Sequence, residues 1–355
     1  MINVLSLFDG LSGTQLALKN VGIKVNNYYA SEVDKFAIKV TQANFPNTHQ
    51  LGDIRKINGS TFTNNDTIDL LVAGFPCQDL SLASHTGEGL KGSRSGLFYE
   101  AIRLLNEIKP KYFLFENVRM SKANEKIITD ILGVEPIVIN SSLVTAQNRV
   151  RYYWTNLELS EIKDQNIKLK DILENGYTDR DLSYCIDANY YKIGGDSNQS
   201  ALRSYFLKYR RQIIFNKGCQ QVGKALELNH INYDAIKRVY GLDGKSPTLT
   251  TMGGGHREPK VVTHDVAGGA LTDVIHPDFK DLRWRKLTPL ECERLQNVPD
   301  NYTNHVSKTQ RYRMLGNGFT VGIIEKFVEN ITVNQTKEHQ YSLWKTEDSL
   351  KGYWM

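Results

Sequence analysis

Val72-Ala73-Gly74-Phe75-Pro76-Cys77-Gln78 is the stretch on which the fold turns. It closes an apolar run, Asp69 to Ala73, with a glycine, a proline and then a cysteine. A short apolar run ending this way suits a buried parallel strand covered on both faces, and the clefts of such sheets open at strand carboxyl ends. Cys77 therefore falls where ligands bind. A cysteine taken alone is more often a small buried hydrophobe, so reading Cys77 as a reactive thiol rests on its neighbours elsewhere in the chain.

Upstream, Ile2 to Phe8 reads as a strand that runs into Asp9-Gly10-Leu11-Ser12-Gly13, followed by a helix from Thr14 to Asn20. Tyr28 to Ser31 forms a second strand ending on Glu32, and Asp34 caps a helix that reaches about Asn44 before Pro46. Leu51-Gly52-Asp53-Ile54 is a shorter unit. Downstream of Cys77, Asp79 to Gly96 is a long Ser/Gly/Lys-rich loop of the kind that carries function. Leu97 to Ile108 reads as a helix, Tyr112 to Val118 as a strand ending on Glu116-Asn117, and Ile127 to Leu132 as a helix. Ile137 to Ile139 and Val150 to Leu157 are further strands. Strands alternating with helices predict an α/β fold with a mostly parallel sheet and helices on both faces.

Beyond about Ile172 this pattern degrades, and a second, smaller lobe is expected from Leu182 to Thr272. The chain then divides into residues 1–181, 182–272, a return to the first lobe at 273–332, and a tail at 333–355. Regular structure resumes where Thr288 caps a helix with Pro289 at its first position and Glu291 at the capping-box position. Arg311 to Glu329 holds a Gly316-Asn317-Gly318 turn and an apolar helix expected to pack on the first lobe.

With 355 residues, 40% of them hydrophobic, the chain can bury a core large enough for two unequal lobes. The net charge of +5 is compatible with a basic face but does not prove a nucleic-acid partner. Cys77, Cys185, Cys219 and Cys292 are far apart, without a CxxC pair or zinc-type spacing, so neither a metal site nor a disulfide framework is expected. The first residues lack a signal-peptide pattern and no apolar stretch reaches membrane-spanning length, so a soluble, cytoplasmic protein with no membrane partner is expected.

Three strands deliver polar ends at Phe8-Asp9-Gly10, Glu32 and Asp53, which outlines a cofactor site. Gly10 and Gly13 let a ligand approach the backbone, Glu32 is placed to take both ribose hydroxyls, and Asp53 to accept from an adenine amino group. The full GxGxxG is missing, which favours an adenosyl ligand without pyrophosphate and leaves a dinucleotide as the second choice. Cys77 needs activation, since a free thiol is only a few per cent thiolate at neutrality. Glu116 can protonate a bound heterocycle if burial raises its pKa, and Arg149 and Arg151 add fixed positive charge. These groups suit conjugate addition to a pyrimidine: attack at C6, protonation at N3, and an electron-rich C5. Taken singly, Glu116 is as readily a strand-end carboxylate and each arginine a surface charge; their joint placement is what favours chemistry.

Phe8-Asp9-Gly10-Leu11-Ser12-Gly13, Gly74-Phe75-Pro76-Cys77-Gln78, Glu116-Asn117-Val118, Gln147-Asn148-Arg149-Val150-Arg151 and Gly316-Asn317 stand in an order that resembles the DNA cytosine-C5 methyltransferases. The likeness spans nearly the whole chain and implies a Rossmann-like S-adenosylmethionine-dependent methyltransferase fold with a target-recognition domain at 182–272. It implies Cys77 as nucleophile, Glu116 on N3 and the exocyclic amine, Arg151 near O2, Arg149 assisting the cysteine region and Gln147 orienting it. It also implies S-adenosylmethionine, leaving as S-adenosylhomocysteine, held by Phe8, Asp9, Gly10, Gly13, Glu32, Val33, Asp53, Ile54, Pro76, Leu97 and Asn317. Ser81 and Arg94 would lie on a loop closing over flipped DNA, and Thr250 and Arg257 on second-lobe segments that touch it. The implied partner is double-stranded DNA, met by a monomer of bacterial or phage origin, free-standing or accompanied by a separate restriction endonuclease. Gly318-Phe319-Thr320-Val321 departs from many bacterial members, which have a small hydroxyl residue and valines there. Ser6 to Gly10, Ser31 to Val33 and Arg151 to Asn156 are similar to the catalytic domains of animal de novo methyltransferases. An RNA cytosine methyltransferase, a non-catalytic DNA-binding protein and an NAD-dependent oxidoreductase are the competing readings.

Overall fold

The computed structural model describes residues 1–62, 67–76, 96–176, 178, 181–192, 213–215, 239–241, 260–262 and 284–331. Its strands are β1 (Ile2–Leu7), β2 (Val25–Ser31), β3 (His49–Gln50), β4 (Leu70–Ala73), β5 (Tyr112–Val118), β6 (Ile137–Asn140), β7 (Gln147–Asn148) and β8 (Val150–Thr155). Seven of them form one sheet in the order β3-β2-β1-β4-β5-β8-β6. The first five pair in parallel, while β8 runs antiparallel to both β5 and β6. The exception has a simple cause: only residues 141–149 separate β6 from β8, too few for a parallel crossover. Strand order reverses between β1 and β4, and the crevice at that reversal is where α/β sheets bind ligands.

Alternation along the strands sorts the apolar side chains onto two faces. Val4, Leu70, Val72, Leu114 and Tyr153 point to one face, and Leu5, Leu71, Ala73, Phe113, Phe115 and Trp154 to the other. Helix α1 (Gly13–Asn20), α2 (Lys35–Asn44) and the last helix of the described chain cover the first face with Leu16, Val40, Ile324 and Phe327. The second face is covered by α3 (Leu97–Ile108) and α4 (Lys122–Leu132), through Phe98, Ile102, Leu105, Ile128 and Ile131. α4 begins five residues before the apolar periodicity does, because the Ser121 hydroxyl accepts the Asn124 N–H and caps a polar first turn.

After α5 (Leu169–Ile172), β9 (Ser183–Tyr184) pairs in parallel with β7, and Ile186 and Tyr190 bury in the core of the first face. Ile186 and Tyr190, from the stretch read in sequence as the start of a second lobe, thus belong to the core of the sheet's first face; no helical or strand periodicity marks them. Within 193–283 the described pieces are β10 (Ile213–Phe215), β11 (Val239–Gly241) and β12 (Lys260–Val262). β10 pairs antiparallel with β13 (Trp284–Lys286), and β11 parallel with β12.

The closing helices are α6 (Pro289–Leu295), α7 (Lys308–Asn317) and α8 (Val321–Val328). The capping box at α6 forms as expected: Thr288 Oγ1 accepts the Glu291 N–H, and the Glu291 carboxylate accepts the Thr288 N–H. Gly316 and Asn317 belong to the last turn of α7 rather than to a turn between helices, and the Gly318 N–H donates to the Met314 carbonyl at 2.8 Å. A Cβ on Gly318 would stand 3.1 Å from Leu11, so the residue lets the link into α8 approach the loop after β1. Among the described residues, no helix is long and apolar enough to cross a membrane.

Candidate active site

The turn after β1 is built from alternating left-handed residues, with φ of 58° at Phe8, 59° at Gly10 and 64° at Ser12. Two of these are not glycine, a strained arrangement that recurs at ligand-binding turns. It swings the Gly10 N–H onto the Glu32 carboxylate at 2.8 Å, and the other Glu32 oxygen accepts from Val33 and Asp34 N–H. Glu32 is thereby fixed beside the crevice. Gly10 has open space beside its Cα, whereas the space at Gly13, buried at the start of α1, faces Phe319 and Val321. The Tyr28 hydroxyl donates to Asp9 Oδ1 beneath the turn, and burial pushes the Asp9 carboxyl up to about 6.

Val33, next to Glu32, is 72% exposed. An apolar side chain left open beside a carboxylate held by backbone amides fits the adenine and ribose ends of an adenosyl ligand. Asp53 caps a short helical turn and is bridged by Arg55, whose Nε and Nη2 reach it at 3.0 and 2.5 Å. Those bonds hold its carboxyl down at about 2. Ile54 is buried with Leu5 and Leu7, Leu97 is half-buried at the start of α3, and Asn317 is exposed at the end of α7.

Glu116 and Arg151 meet at the carboxyl end of β5: Arg151 Nε lies 3.0 Å from Glu116 Oε1, with both side chains largely buried. Burial pushes the Glu116 carboxyl above its ordinary range, against the opposing pull of Arg151 and Arg149. Arg151 also donates through Nη1 to the Val150 carbonyl and through Nη2 to Cys185 Sγ at 3.7 Å. Arg149 is buried and caps the end of α7, donating to the Gly316 and Gly318 carbonyls and to Ile186 and Cys185. Gln147 clamps two segments, donating to the Leu295 carbonyl and accepting the Ile186 N–H, both at 3.0 Å.

Cys77, Ser81, Arg94, Thr250 and Arg257 lie outside the described residues. The root of the Cys77 turn is described. Phe75 is buried against Phe98 and Phe115, with a centroid distance of 4.9 Å to Phe98. The neighbour of Glu116, Asn117, points the other way and donates to the Phe75 carbonyl at 3.1 Å. One dipeptide thus supplies a site carboxyl and anchors the turn leading to Cys77. Gly74 sits under the Phe319 ring, and a Cβ there would be 2.7 Å from the ring and 3.8 Å from Glu116 Oε2. Cys185, Phe319 and Asn117 are the residues here whose part sequence reasoning missed. Asn117 and Phe319 stood in quoted stretches without these parts; nothing in local spacing marks Cys185.

A Rossmann-like sheet with one antiparallel strand near its edge, and a glycine turn with acidic strand ends at its point of reversal, defines a methyltransferase fold. Solved structures share it: an Entamoeba histolytica methyltransferase, EhMeth, with a TM-score of 0.59 at 15% identity over 93% of this chain and 97% of that one. A putative DNA modification methyltransferase encoded in an Escherichia coli prophage gives 0.52 at 22% identity, over 93% and 98%. The chain belongs to the C-5 cytosine-specific DNA methylases, whose family model matches residues 2–333. It is similar to the orphan methyltransferase M.SPBetaI of Bacillus phage SPbeta, 28% identical over 93% of this chain and 97% of that protein. The type II methyltransferase M.HhaI of Haemophilus parahaemolyticus is 26% identical, over 93% and 94%. The chain is a DNA (cytosine-5-)-methyltransferase, and its family is S-adenosylmethionine-dependent.

Proposed function

We propose that the enzyme methylates C5 of a cytosine flipped out of duplex DNA, within a short sequence motif, through a transient covalent bond between Cys77 and C6. The observation that carries this reading is the Glu116–Arg151 pair beside Gly74, three residues before Cys77. A raised carboxyl pKa keeps a proton on Glu116 for N3 of the ring, which makes C6 electrophilic; Arg151, with its charge fixed, faces O2. Attack by the Cys77 thiolate breaks the C5–C6 double bond and leaves its electron pair on C5. After C5 has gained its methyl group, loss of the C5 proton reforms that double bond and expels Cys77 as the thiolate, and N3 gives its proton back to Glu116.

S-adenosylmethionine, when bound, supplies an electrophilic methyl group. Glu32 would hold its ribose, Val33 would cover its adenine, and the Gly10 turn with Phe8 and Asp9 would take the methionyl end. Gly13, Asp53, Ile54, Pro76, Leu97 and Asn317 complete the assigned shell. The engagement of Asp53 by Arg55 means that an adenine amino group would share this carboxylate with the guanidinium.

Flipping a base costs a few kcal/mol, which contacts elsewhere on the duplex must offset. Ser81 and Arg94 on the loop after Cys77, and Thr250 and Arg257 in the 182–272 segment, are assigned to those contacts. The enzyme acts as a monomer, free-standing or beside a separate endonuclease. Single-base sequencing of bisulfite-treated plasmid DNA from cells expressing the parent and Cys77→Ala tests the reading. C5 methylation in one fixed motif, absent in the variant, is expected; the same pattern from Cys77→Ala would overturn it.

A further inference from the structure

Cys185 lies outside every motif discussed above, yet its sulfur is where the two motif arginines converge. Arg149 Nη1 donates to Sγ at 3.3 Å and Arg151 Nη2 at 3.7 Å. The thiol in turn donates to the Ile186 carbonyl at 3.5 Å. With Nε on Glu116 and Nη1 on Val150, contact with Cys185 engages the last nitrogen of the Arg151 guanidinium. The planar fork then has one orientation, because all three corners are held.

We propose that Cys185 is a positioning residue: as the shared acceptor of Arg149 and Arg151, it fixes the guanidinium of Arg151 at Glu116 and, once ionised, offsets the pull of the two arginines on the Glu116 proton. The proposal rests on the catalytic reading of Glu116 and Arg151. The charges here are two guanidiniums and two acids. Once the thiol gives up the proton it shares with Ile186, whatever positive charge neutralises the anionic sulfur is withdrawn from the carboxylate, so the carboxyl holds its proton to higher pH. Burial pushes the Cys185 thiol up, but the two arginines outweigh it and leave the thiol below its ordinary range. Tyr153, opposite Glu116 in the strand pair, is buried with its hydroxyl held neutral, and Asp187 follows two residues after Cys185.

Two measurements test this. In the first, kcat/KM for methyl transfer is followed against pH for the parent, Cys185→Ser and Cys185→Asp. Serine keeps an acceptor of similar size that does not ionise, and aspartate restores the charge. Cys185→Ser is expected to lose roughly three- to tenfold at about pH 8.5 while staying within about twofold near pH 6.5, with Cys185→Asp recovering the alkaline activity. Superimposable profiles for parent and Cys185→Ser would overturn the proposal. The second does not use activity: the rate of iodoacetamide labelling of the Cys185 peptide, read by mass spectrometry, is followed against pH. Its midpoint is expected below that of a free thiol and higher in Arg151→Gln; an unmoved midpoint would overturn the shared-acceptor geometry. A parent that labels as expected but transfers no methyl group to DNA would instead count against the functional reading.

Discussion

Arg151 and Glu116 are diagonal neighbours on one face of an antiparallel strand pair, since Glu116 stands opposite Tyr153 and Arg151 opposite Val118. The backbone register delivers the pair, and the 3.0 Å contact follows from it. The carboxyl assigned above to proton donation is thus held by strands of the buried sheet.

The first expectation concerns pH. Burial raises the Glu116 carboxyl, and in the proposed mechanism its protonated form is the active one, so the contribution of Glu116 is full below its folded-state pKa and is lost as pH rises through it, which gives the rate an alkaline limb. Glu116→Gln should lower kcat/KM by about 10²–10³-fold and abolish this alkaline limb, measured by single-turnover methyl transfer. A limb that persists in Glu116→Gln would assign it to another group.

Asp9 predicts a pH-dependent stability. Its carboxyl rises from 3.8 to about 6 on burial under the glycine turn, so the folded state favours the proton. The contribution is present in full below 3.8 and lost as pH rises through about 6. Above that, the parent carries a penalty of roughly 2–3 kcal/mol that Asp9→Asn avoids. Chemical denaturation of both proteins should show the difference opening between pH 4 and 6 and flat beyond; equal pH slopes would count against a buried, raised carboxyl.

A buried ion pair secures the closing helices. Glu293 accepts from Arg311 Nη2 at 2.9 Å, from the Asn301 and Thr303 N–H groups and from the Thr303 hydroxyl, with no exposure of its own. Arg311→Ala leaves that carboxylate uncompensated and should cost about 3–5 kcal/mol, read from the denaturant midpoint. Replacing both residues by leucine and methionine should cost less than the single change.

Gly74 and Phe319 should be energetically coupled. A methyl group on Gly74 would meet the ring at 2.7 Å, so Gly74→Ala must displace it, at about 1–3 kcal/mol. Phe319→Leu should remove most of that cost in the double variant. Additive losses in the double-mutant cycle would place the ring elsewhere in solution.

Much of this architecture is legible in the sequence because the relevant strands advertise themselves. β1, β4 and β5 are apolar runs that stop on Asp9, Gly74 and Glu116, so both the parallel sheet and the polar ends at its cleft can be read off. The Thr288-Pro289-Glu291 cap is equally plain, since capping is local chemistry. What cannot be read depends on pairing partners. The reversed direction of β8 is set by the short path from β6, and the Arg55 bridge to Asp53 by which neighbour a carboxylate chooses. Ile186 and Tyr190 carry no periodic signal, so their burial on the first lobe, and with it the place of Cys185 between two arginines, appears only in three dimensions.

The packing of α8 on α1 bears on how the molecule is made. Leu16 and Leu18 share the first-face core with Ile323, Ile324 and Phe327, and Asn20 hydrogen-bonds Glu325 at 2.6 Å. During synthesis α1 leaves the ribosome long before α8 and waits for it before its apolar side is covered. Contacts of such long sequence separation form slowly, and the waiting surface is prone to aggregation. Two helices so far apart in the chain and so close in space also mark where the ends could be joined and new ones opened elsewhere. A circular permutant in which α8 runs on into β1 and α1 would let these two helices pair early, and should fold faster than the natural order of the chain.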